Sequence, residues 1–165
     1  MRGVIQRVSH AKVTVDGTVS GEIKRGIMVL VGFIPSDDEK VMDYMLEKIV
    51  NLRIFEDEND KMNLSVKDIE GEILIVPNFT LYGDARKGRR PSYANAASPA
   101  EAESIFARFV QKAKELPLKV ETGIFQAEMK VELLNDGPVT ILLDSERNFW
   151  KNGLGCFCPQ TFLVV

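Results

Sequence analysis

The sequence has little of the side-chain chemistry on which most hydrolases depend. It contains one histidine, His10, and two cysteines, Cys156 and Cys158. It has no G-x-S-x-G, H-E-x-x-H, phosphate-loop or dinucleotide-binding motif. A single histidine disfavours a Ser-His-Asp or Cys-His mechanism, and a C-x-C pair supplies only half of the usual four metal ligands. An enzyme built from this chain is therefore expected to use backbone dipoles and groups of its substrate, with no metal and no cofactor.

Long apolar runs and a basic excess are absent as well. No run reaches the roughly 18 apolar residues of a membrane helix, and the segment Met1–Arg7 lacks the apolar core of a signal peptide. These absences predict a cytoplasmic protein without a membrane partner. The net charge is −3, so any contact with RNA has to depend on a local patch. The one dense basic cluster consists of Arg86, Lys87, Arg89 and Arg90.

What the sequence does contain is the pattern of one mixed domain. Its 165 residues, 45% of them hydrophobic, are enough for a sizeable core. The first third predicts a β-meander with a hairpin at Asp16-Gly17, and Ile27–Phe33 is apolar enough to be buried on both faces. Further strands are predicted later in the chain, at Leu52–Phe55, Ile73–Leu81, Lys119–Leu134 and Val139–Leu143. With two helices between them, these strands predict an α+β fold.

Capping signals give the bounds of the two helices. Ser36 and Glu39 form a capping box, so the first helix is predicted to begin at Ser36 and to end near Asn51. Ser98–Glu101 is a second capping box with proline at the first helical position. Pro117 is expected to stop this second helix. Both helices carry apolar residues at helical spacing on one face.

Two segments far apart in sequence place backbone polar groups at strand ends. One is Val76–Leu81 and the other is Asn135–Thr140. From the residues alone, Gly137-Pro138 in the second segment predicts a turn that breaks the strand. A site built from such segments is expected to select by shape and handedness more than by charge.

A set of short blocks recurs in a fixed order along the chain, and it carries a family resemblance. The blocks are Met1–Val8, Asn63–Ser65, Phe79–Leu81, Arg90–Tyr93, Ala97–Pro99 and Asn135–Thr140. With them, residues 1–145 resemble the D-aminoacyl-tRNA deacylases. The resemblance implies a homodimer of β-barrel-like subunits that hydrolyses the ester between a D-amino acid and the 3′ adenosine of tRNA. Residues 146–165 lie outside it, as a C-terminal tail of unassigned role.

The chain departs from the family pattern at three positions. The family motif usually reads Ser-Gln-Phe-Thr-Leu, whereas Pro77 and Asn78 stand in its first two places here. Asn78 keeps a carboxamide that is one carbon shorter, and Pro77 has neither a backbone N–H nor a hydroxyl. The family also favours glycine where Gln126 stands.

The resemblance implies roles for individual residues. Phe79 and Thr80 would form an oxyanion hole from their backbone N–H groups, with Thr80 serving mainly as a positioning residue, since no general base is evident. Asn78, Phe125 and Met129 would line the substrate pocket.

Chiral selection would come from the Gly137-Pro138 pair. In the family this pair is cis and reaches the pocket from the partner subunit, where it excludes an L side chain. Glycine has no side chain, so glycyl-tRNA is expected to be cleaved too. Contacts with the tRNA would come from the basic cluster, Arg86, Lys87, Arg89 and Arg90, and from Arg7.

Other interpretations remain open from the sequence. The chain could be a catalytically impaired tRNA-binding module of the same fold, or an esterase that acts on a different substrate through Thr80. The basic cluster could be a solubilising surface loop, and Arg7 could be structural.

Overall fold

A computed structural model describes residues 1–148 of the chain. Cys156, Cys158 and most of the predicted tail lie outside the described residues. The strands are β1 (Arg2–Val15), β2 (Thr18–Ile23), β3 (Gly26–Gly32), β4 (Phe55–Glu56), β5 (Met62–Leu64), β6 (Glu72–Pro77), β7 (Val120–Thr122) and β8 (Lys130–Asp144). The helices are α1 (Glu39–Val50) and α2 (Pro99–Lys114), and a short 3₁₀ turn spans Phe79–Tyr82.

One mixed sheet organises the described chain. Its strand order is β2-β1-β3-β6-β7, and β8 pairs with the other edge of β1. β3, β6 and β7 run parallel, whereas β1 is antiparallel to β2, β3 and β8. Because β7 returns to contact β2, the sheet is nearly closed and barrel-like. This architecture, with its two helices, confirms the predicted α+β fold.

The predicted β-meander is wrong in its connectivity. β1 is a single strand from Arg2 to Val15 that lies between β2 and β3, so β2 and β3 are not neighbours. β1 stays continuous because β8 pairs with nearly its whole length, across the polar Ser9 and His10. The hairpin at Asp16-Gly17 is confirmed, and both of its residues have positive φ.

The core has two parts, one on each face of the sheet. The larger packs α1 and α2 against the sheet and includes Ile27, Val29 and Val31 of β3. The smaller lies on the opposite face and includes Met28 of the same strand. The prediction that β3 is buried on both faces is therefore confirmed.

Helix α1 begins later than predicted, because Asp37 is drawn into the core. The Asp37 carboxylate pairs with the α-amino group of Met1 at 2.5 Å and accepts the N–H of Ile34 at 2.9 Å. The chain therefore turns at this point, and the N-cap is Asp38, whose carboxylate accepts the N–H of Val41. The predicted end at Asn51 is confirmed.

Helix α2 keeps its predicted start. The carboxylate of Glu101 accepts hydrogen bonds from the backbone N–H and the hydroxyl of Ser98, and Pro99 is the first helical residue. The helix ends at Lys114, before Pro117.

Three predicted strands differ in extent. Leu52–Phe55 is not a strand, because the chain turns at Leu52 and only Phe55–Glu56 pairs with β5. Lys119–Leu134 is divided by a turn in which Gln126 has φ +59°. Gly137-Pro138 does not end its strand, since β8 runs from Lys130 to Asp144. A further difference, at the end of β6, forms part of the candidate site. Within residues 1–148, no helix is both long and apolar enough to cross a bilayer.

Candidate active site

A cavity of about 830 Å³ opens beside the ends of β3 and β6. Its wall is mostly apolar and includes Phe33, Tyr93, Ala97, Pro99 and Val131, together with four residues predicted for the site, Asn78, Phe79, Phe125 and Met129. This volume is in the range of sites that enclose small molecules. The structure therefore brings most of the predicted pocket residues together.

The chain turns sharply where β6 reaches the cavity. The predicted strand Ile73–Leu81 stops at Pro77, and Phe79–Tyr82 forms the 3₁₀ turn. Asn78 caps this turn, because its side-chain Oδ1 accepts the backbone N–H of Thr80 at 3.1 Å and the Thr80 hydroxyl at 2.5 Å. A backbone N–H can only donate, so the amide atom that faces it has to be the oxygen. The Nδ2 amino group of Asn78 therefore has no part in the cap.

This cap changes the predicted oxyanion hole. The Thr80 N–H is already bonded to Asn78, so it is not a free donor as the resemblance implied. In the described part of the chain, the backbone N–H of Phe79 and the Nδ2 group of Asn78 donate to no protein acceptor. The donors available at the cavity are thus on Phe79 and Asn78.

Among the described residues, no base lies within hydrogen-bonding distance of the Thr80 hydroxyl. Its partner in residues 1–148 is the amide oxygen of Asn78, which does not take up a proton at neutral pH. His10 lies exposed on β1, opposite Leu134 of β8. The arrangement suits a positioning role for Thr80 and lacks the nucleophile–base pair of covalent catalysis.

Long-range contacts fix the far end of the turn. The Arg2 guanidinium donates to the carbonyl of Leu81 at 2.9 Å and lies 4.4 Å from the centre of the Tyr82 ring. Burial raises the pKa of the Tyr82 phenol well above its ordinary value, so the ring stays neutral. Gly32 at the end of β3 permits the close approach, because a Cβ there would lie 2.9 Å from the Asn78 carbonyl oxygen.

The second predicted segment forms a bulge on β8. Three residues of β1, from Gln6 to Val8, face six of β8, from Asn135 to Thr140. The side chain of Asn135 closes the base of this bulge by accepting the N–H of Val139 and donating to its carbonyl, each at 3.0 Å. Gly137 and Pro138 lie exposed at the tip, and the bond between them is cis.

Arg7 supports the bulge from below. Its guanidinium donates to the Asp136 carbonyl at 2.8 Å and to the Ile54 carbonyl at 2.7 Å, and the residue is only 4% exposed. This burial leaves little of the Arg7 guanidinium open to a phosphate, so it favours the alternative interpretation, a structural support for Gly137-Pro138, over the predicted tRNA contact.

The basic cluster lies on a surface loop next to the 3₁₀ turn. Backbone hydrogen bonds of 2.8 and 2.9 Å join Asp84 and Ser92 at the base of the loop. Asp84 also binds Arg86 at 2.6 Å, and this side-chain hydrogen bond holds the pKa of the Asp84 carboxyl well below its ordinary value. Lys87, Arg89 and Arg90 are exposed and make no ion pair within residues 1–148.

Several contributors to the site were missed in the sequence. The Gly32 contact and the Asn135 bridge depend on tertiary register, for which no local signal exists. The positive φ of Gln126 could have been predicted, because a family preference for glycine at a position indicates such a φ.

A comparison with known protein families agrees with this arrangement of cavity, turn and bulge. The family model described as D-Tyr-tRNA(Tyr) deacylase matches residues 4–144. The chain belongs to this family. This membership confirms the resemblance that the ordered sequence blocks indicated.

Individual relatives agree with this assignment. The chain is 59% identical over 149 residues to the D-aminoacyl-tRNA deacylase of Clostridioides difficile (strain 630), a match that covers 90% of this chain and all of the relative. It is 60% identical, with the same coverage, to the D-aminoacyl-tRNA deacylase of Kosmotoga olearia (strain ATCC BAA-1733 / DSM 21960 / TBF 19.5.1).

Solved structures share the fold. A structure described as c-Myc DNA Unwinding Element Binding Protein has 41% identity and a TM-score of 0.83, over 87% of this chain and 98% of its own. A second structure, described as a probable eukaryotic D-amino acid tRNA deacylase, has a TM-score of 0.72 over 86% of this chain and 97% of its own. At 18% identity this second likeness shows the fold alone.

Proposed function

We propose that the chain hydrolyses the ester bond of D-aminoacyl-tRNA and releases the D-amino acid and free tRNA. The observation that carries this proposal is the apolar cavity, which within residues 1–148 has unpaired amide donors at its rim and no acid–base pair beside it. An aminoacyl ester is labile and carries its own ribose 2′-hydroxyl, so it does not require a strong protein nucleophile. The proposal places the protein in the cytoplasm, where aminoacyl-tRNA is used.

Catalysis depends on stabilising charge that develops on the ester carbonyl. Water, oriented by the 2′-hydroxyl, bonds to the carbonyl carbon, the bond to the ribose oxygen breaks, and that oxygen takes up a proton. The Phe79 N–H and the Asn78 Nδ2 group donate to the carbonyl oxygen as it becomes negative, and Thr80 holds Asn78 in place. One donor of this kind is worth about 10²–10³ in rate.

Selection for the D configuration is assigned to Gly137-Pro138 of a partner subunit. Neither residue lines the cavity of its own chain, so a second copy has to deliver the pair if it acts at the ester. An L side chain would collide with it, a D side chain would project elsewhere, and glycine would pass.

The surface around the bulge supports a homodimer. Leu134 and Leu142 of β8 are exposed apolar residues on either side of Gly137-Pro138 in the sequence. In the described chain, β8 pairs with β1 alone, so its second edge is open to a second copy.

Lys87, Arg89 and Arg90 are the proposed phosphate contacts of the tRNA. They are exposed beside the 3₁₀ turn and hold no counter-ion in residues 1–148. Arg86 contributes less in this proposal, because Asp84 already neutralises it. Binding to tRNA is expected to weaken steeply with salt.

A deacylation assay tests the function directly. The purified protein is incubated with D-tyrosyl-, L-tyrosyl- and glycyl-tRNA, and the remaining ester is measured over time. The proposal expects cleavage of the D-tyrosyl and glycyl esters with the L-tyrosyl ester left intact. Binding of tRNA without any cleavage would instead identify the impaired binding module, and cleavage of both tyrosyl esters would contradict the selection proposed for Gly137-Pro138.

Two further measurements separate the parts of the proposal. Thr80→Ala is expected to retain turnover, since Thr80 is a positioning residue; complete loss of turnover with unchanged tRNA binding would restore Thr80 as the nucleophile. Sedimentation at assay concentration is expected to give the mass of two chains. A monomer that still rejected L-tyrosyl-tRNA would refute the role of the partner subunit.

A further inference from the structure

Two exposed aromatic residues form a pair at the mouth of the cavity. Phe79 is 57% exposed and Tyr93 is 39% exposed, and their rings meet edge to face with centroids 5.1 Å apart. Both residues also line the cavity. Single exposed aromatics are common, but a pair at the entrance of a site offers aromatic surface to whatever enters it.

The position of Tyr93 is fixed by the same chain segment that carries the turn. Gly83 follows the turn and donates its N–H to the Thr80 carbonyl at 2.9 Å. A Cβ on Gly83 would lie 3.0 Å from the Tyr93 ring, so the ring packs directly over this backbone. The hydrogen bonds between Asp84 and Ser92 then bring the chain back beside the turn.

These same bonds connect the aromatic pair to the basic cluster. The loop between Asp84 and Ser92 carries Lys87, Arg89 and Arg90, and Tyr93 is the first residue after the loop closes. An exposed ring that lines the cavity thus directly follows a loop in which these three cations make no ion pair within residues 1–148. Proteins that bind single-stranded nucleic acid use this combination, in which cations contact the backbone and aromatic faces stack on bases.

From this juxtaposition we propose that Phe79 and Tyr93 form a base-stacking site for the unpaired 3′ nucleotides of the substrate tRNA. The inference rests on the proposed function and adds the part of the substrate that is held. A base within a duplex has both faces covered, so only unpaired nucleotides can present one to Tyr93. The basic loop holds their phosphates, and the stacked base guides the terminal ester into the cavity.

The test measures binding without turnover. The probe is a fluorescein-labelled RNA hairpin with a single-stranded 3′-ACCA overhang and a free 3′ hydroxyl, compared with the same hairpin without the overhang. Fluorescence anisotropy gives Kd for the wild type and for Tyr93→Ala, Tyr93→Leu and Tyr93→Trp. Tyr44→Ala is the matched control, because Tyr44 is a similarly exposed tyrosine on α1.

Tyr93→Ala is expected to weaken binding of the overhang RNA about 10-fold, and Tyr93→Trp to restore it. Tyr93→Leu keeps apolar area without an aromatic face and is expected to remain weak. The salt dependence should be the same for wild type and Tyr93→Ala, because stacking releases no counter-ions. Equal affinity of Tyr93→Ala, Tyr93→Leu and wild type for the overhang RNA, or equal loss in Tyr44→Ala, would overturn the stacking site.

The outcome of the hydrolysis assay does not depend on the outcome of this binding assay. The probe carries no ester, so its binding is measured whether or not the protein is a deacylase. Overhang binding that depends on Tyr93, in a protein that leaves D-tyrosyl-tRNA intact, would refute the proposed reaction and keep the stacking site. Hydrolysis of D-tyrosyl-tRNA with an unchanged KM in Tyr93→Ala would keep the reaction and refute the stacking site.

Discussion

The 3₁₀ turn at Phe79–Tyr82 and the bulge at Gly137-Pro138 both expose backbone polar groups, but the chain holds them in different ways. The cap of the turn is local, since Asn78 binds Thr80 two residues away. The bulge has a local bridge at its base, between Asn135 and Val139, but its tip is supported from a distance, by Arg7 on another strand. A local cap can be rebuilt from different residues, whereas a long-range support needs one side chain of the right length at one position.

This difference explains where the sequence departs from its family. Pro77 and Asn78 replace the usual pair at the locally capped turn, and the shorter carboxamide still reaches Thr80. The bulge keeps the family's Asn-Asp-Gly-Pro, and Arg7 lies within the matching block at the start of the chain. We therefore expect tolerance to substitution to follow the range of the supporting contacts.

The largest expected effect comes from Arg7→Ala, which removes the support of the bulge. The carbonyls of Ile54 and Asp136 lose a buried charged donor, so the free energy of unfolding should fall by roughly 3 kcal/mol. Cleavage of L-tyrosyl-tRNA should also appear as the bulge loosens. Urea unfolding and the L-ester assay measure the two effects.

Arg53→Ala is the control for this change, because the Arg53 hydrogen bond to the Asn63 carbonyl is exposed. It should shift stability by less than about 0.5 kcal/mol. Equal destabilisation by the two variants would remove the distinction between long-range and surface support.

Asn78→Ala tests the local cap. It removes both the cap of the turn and the Nδ2 donor, so kcat should fall about 10²-fold with selection for D over L retained. Asn78→Gln, which restores the carboxamide usual in the family, should lie within a few-fold of wild type. A loss of chiral selection in Asn78→Ala would show that turn and bulge are not independent.

Gly32→Ala displaces the turn without removing any of its hydrogen-bonding groups. The new Cβ would lie 2.9 Å from the Asn78 carbonyl oxygen, so the turn has to move by a few tenths of an ångström. Steady-state kinetics should show a loss of about 10-fold in kcat. Gly3→Ala on β1 is the control, since its Cβ meets only ordinary contacts at 3.5 Å and beyond, and similar losses in both variants would contradict this assignment.

Gln126→Gly should have the smallest effect, and it should raise the free energy of unfolding instead of lowering it. Gln126 has φ +59°, which costs a residue with a Cβ about 1 kcal/mol, partly offset by the greater unfolded-state freedom of glycine. Thermal unfolding should show a gain of about 0.5 kcal/mol. Glu70→Gly relieves a similar φ of +51° away from the cavity, so a change in kcat in Gln126→Gly alone would show that the Gln126 side chain contacts substrate.

The sequence predicted those features that depend on local pattern. The capping box at Ser98 and the hairpin at Asp16-Gly17 follow from a few adjacent residues, and the helix faces follow from spacing. The start of α1 was missed because a long-range contact outweighed the local capping signal at Ser36. Asp37 is buried in the core, where it pairs with Met1. The buried position of Arg7 was missed because a basic residue on a strand gives no sign of which carbonyls will surround it.

The site shows the same division. Asn78, Phe79, Phe125 and Met129 were placed in the pocket through family resemblance, and the cavity contains them all. The occupation of the Thr80 N–H was not foreseen, since it results from the length of one side chain at a departing position.

Strand β1 carries a supporting arginine for each of the two regions, the turn and the bulge. Arg2 near its start binds the Leu81 carbonyl, and Arg7 farther along binds the Asp136 carbonyl. Their separation is odd, so the two side chains leave opposite faces of one strand. Deleting a single residue between them would turn one of these arginines to the wrong side of the sheet, so the spacing within β1 couples the position of the proposed oxyanion donors to that of the proposed chiral filter.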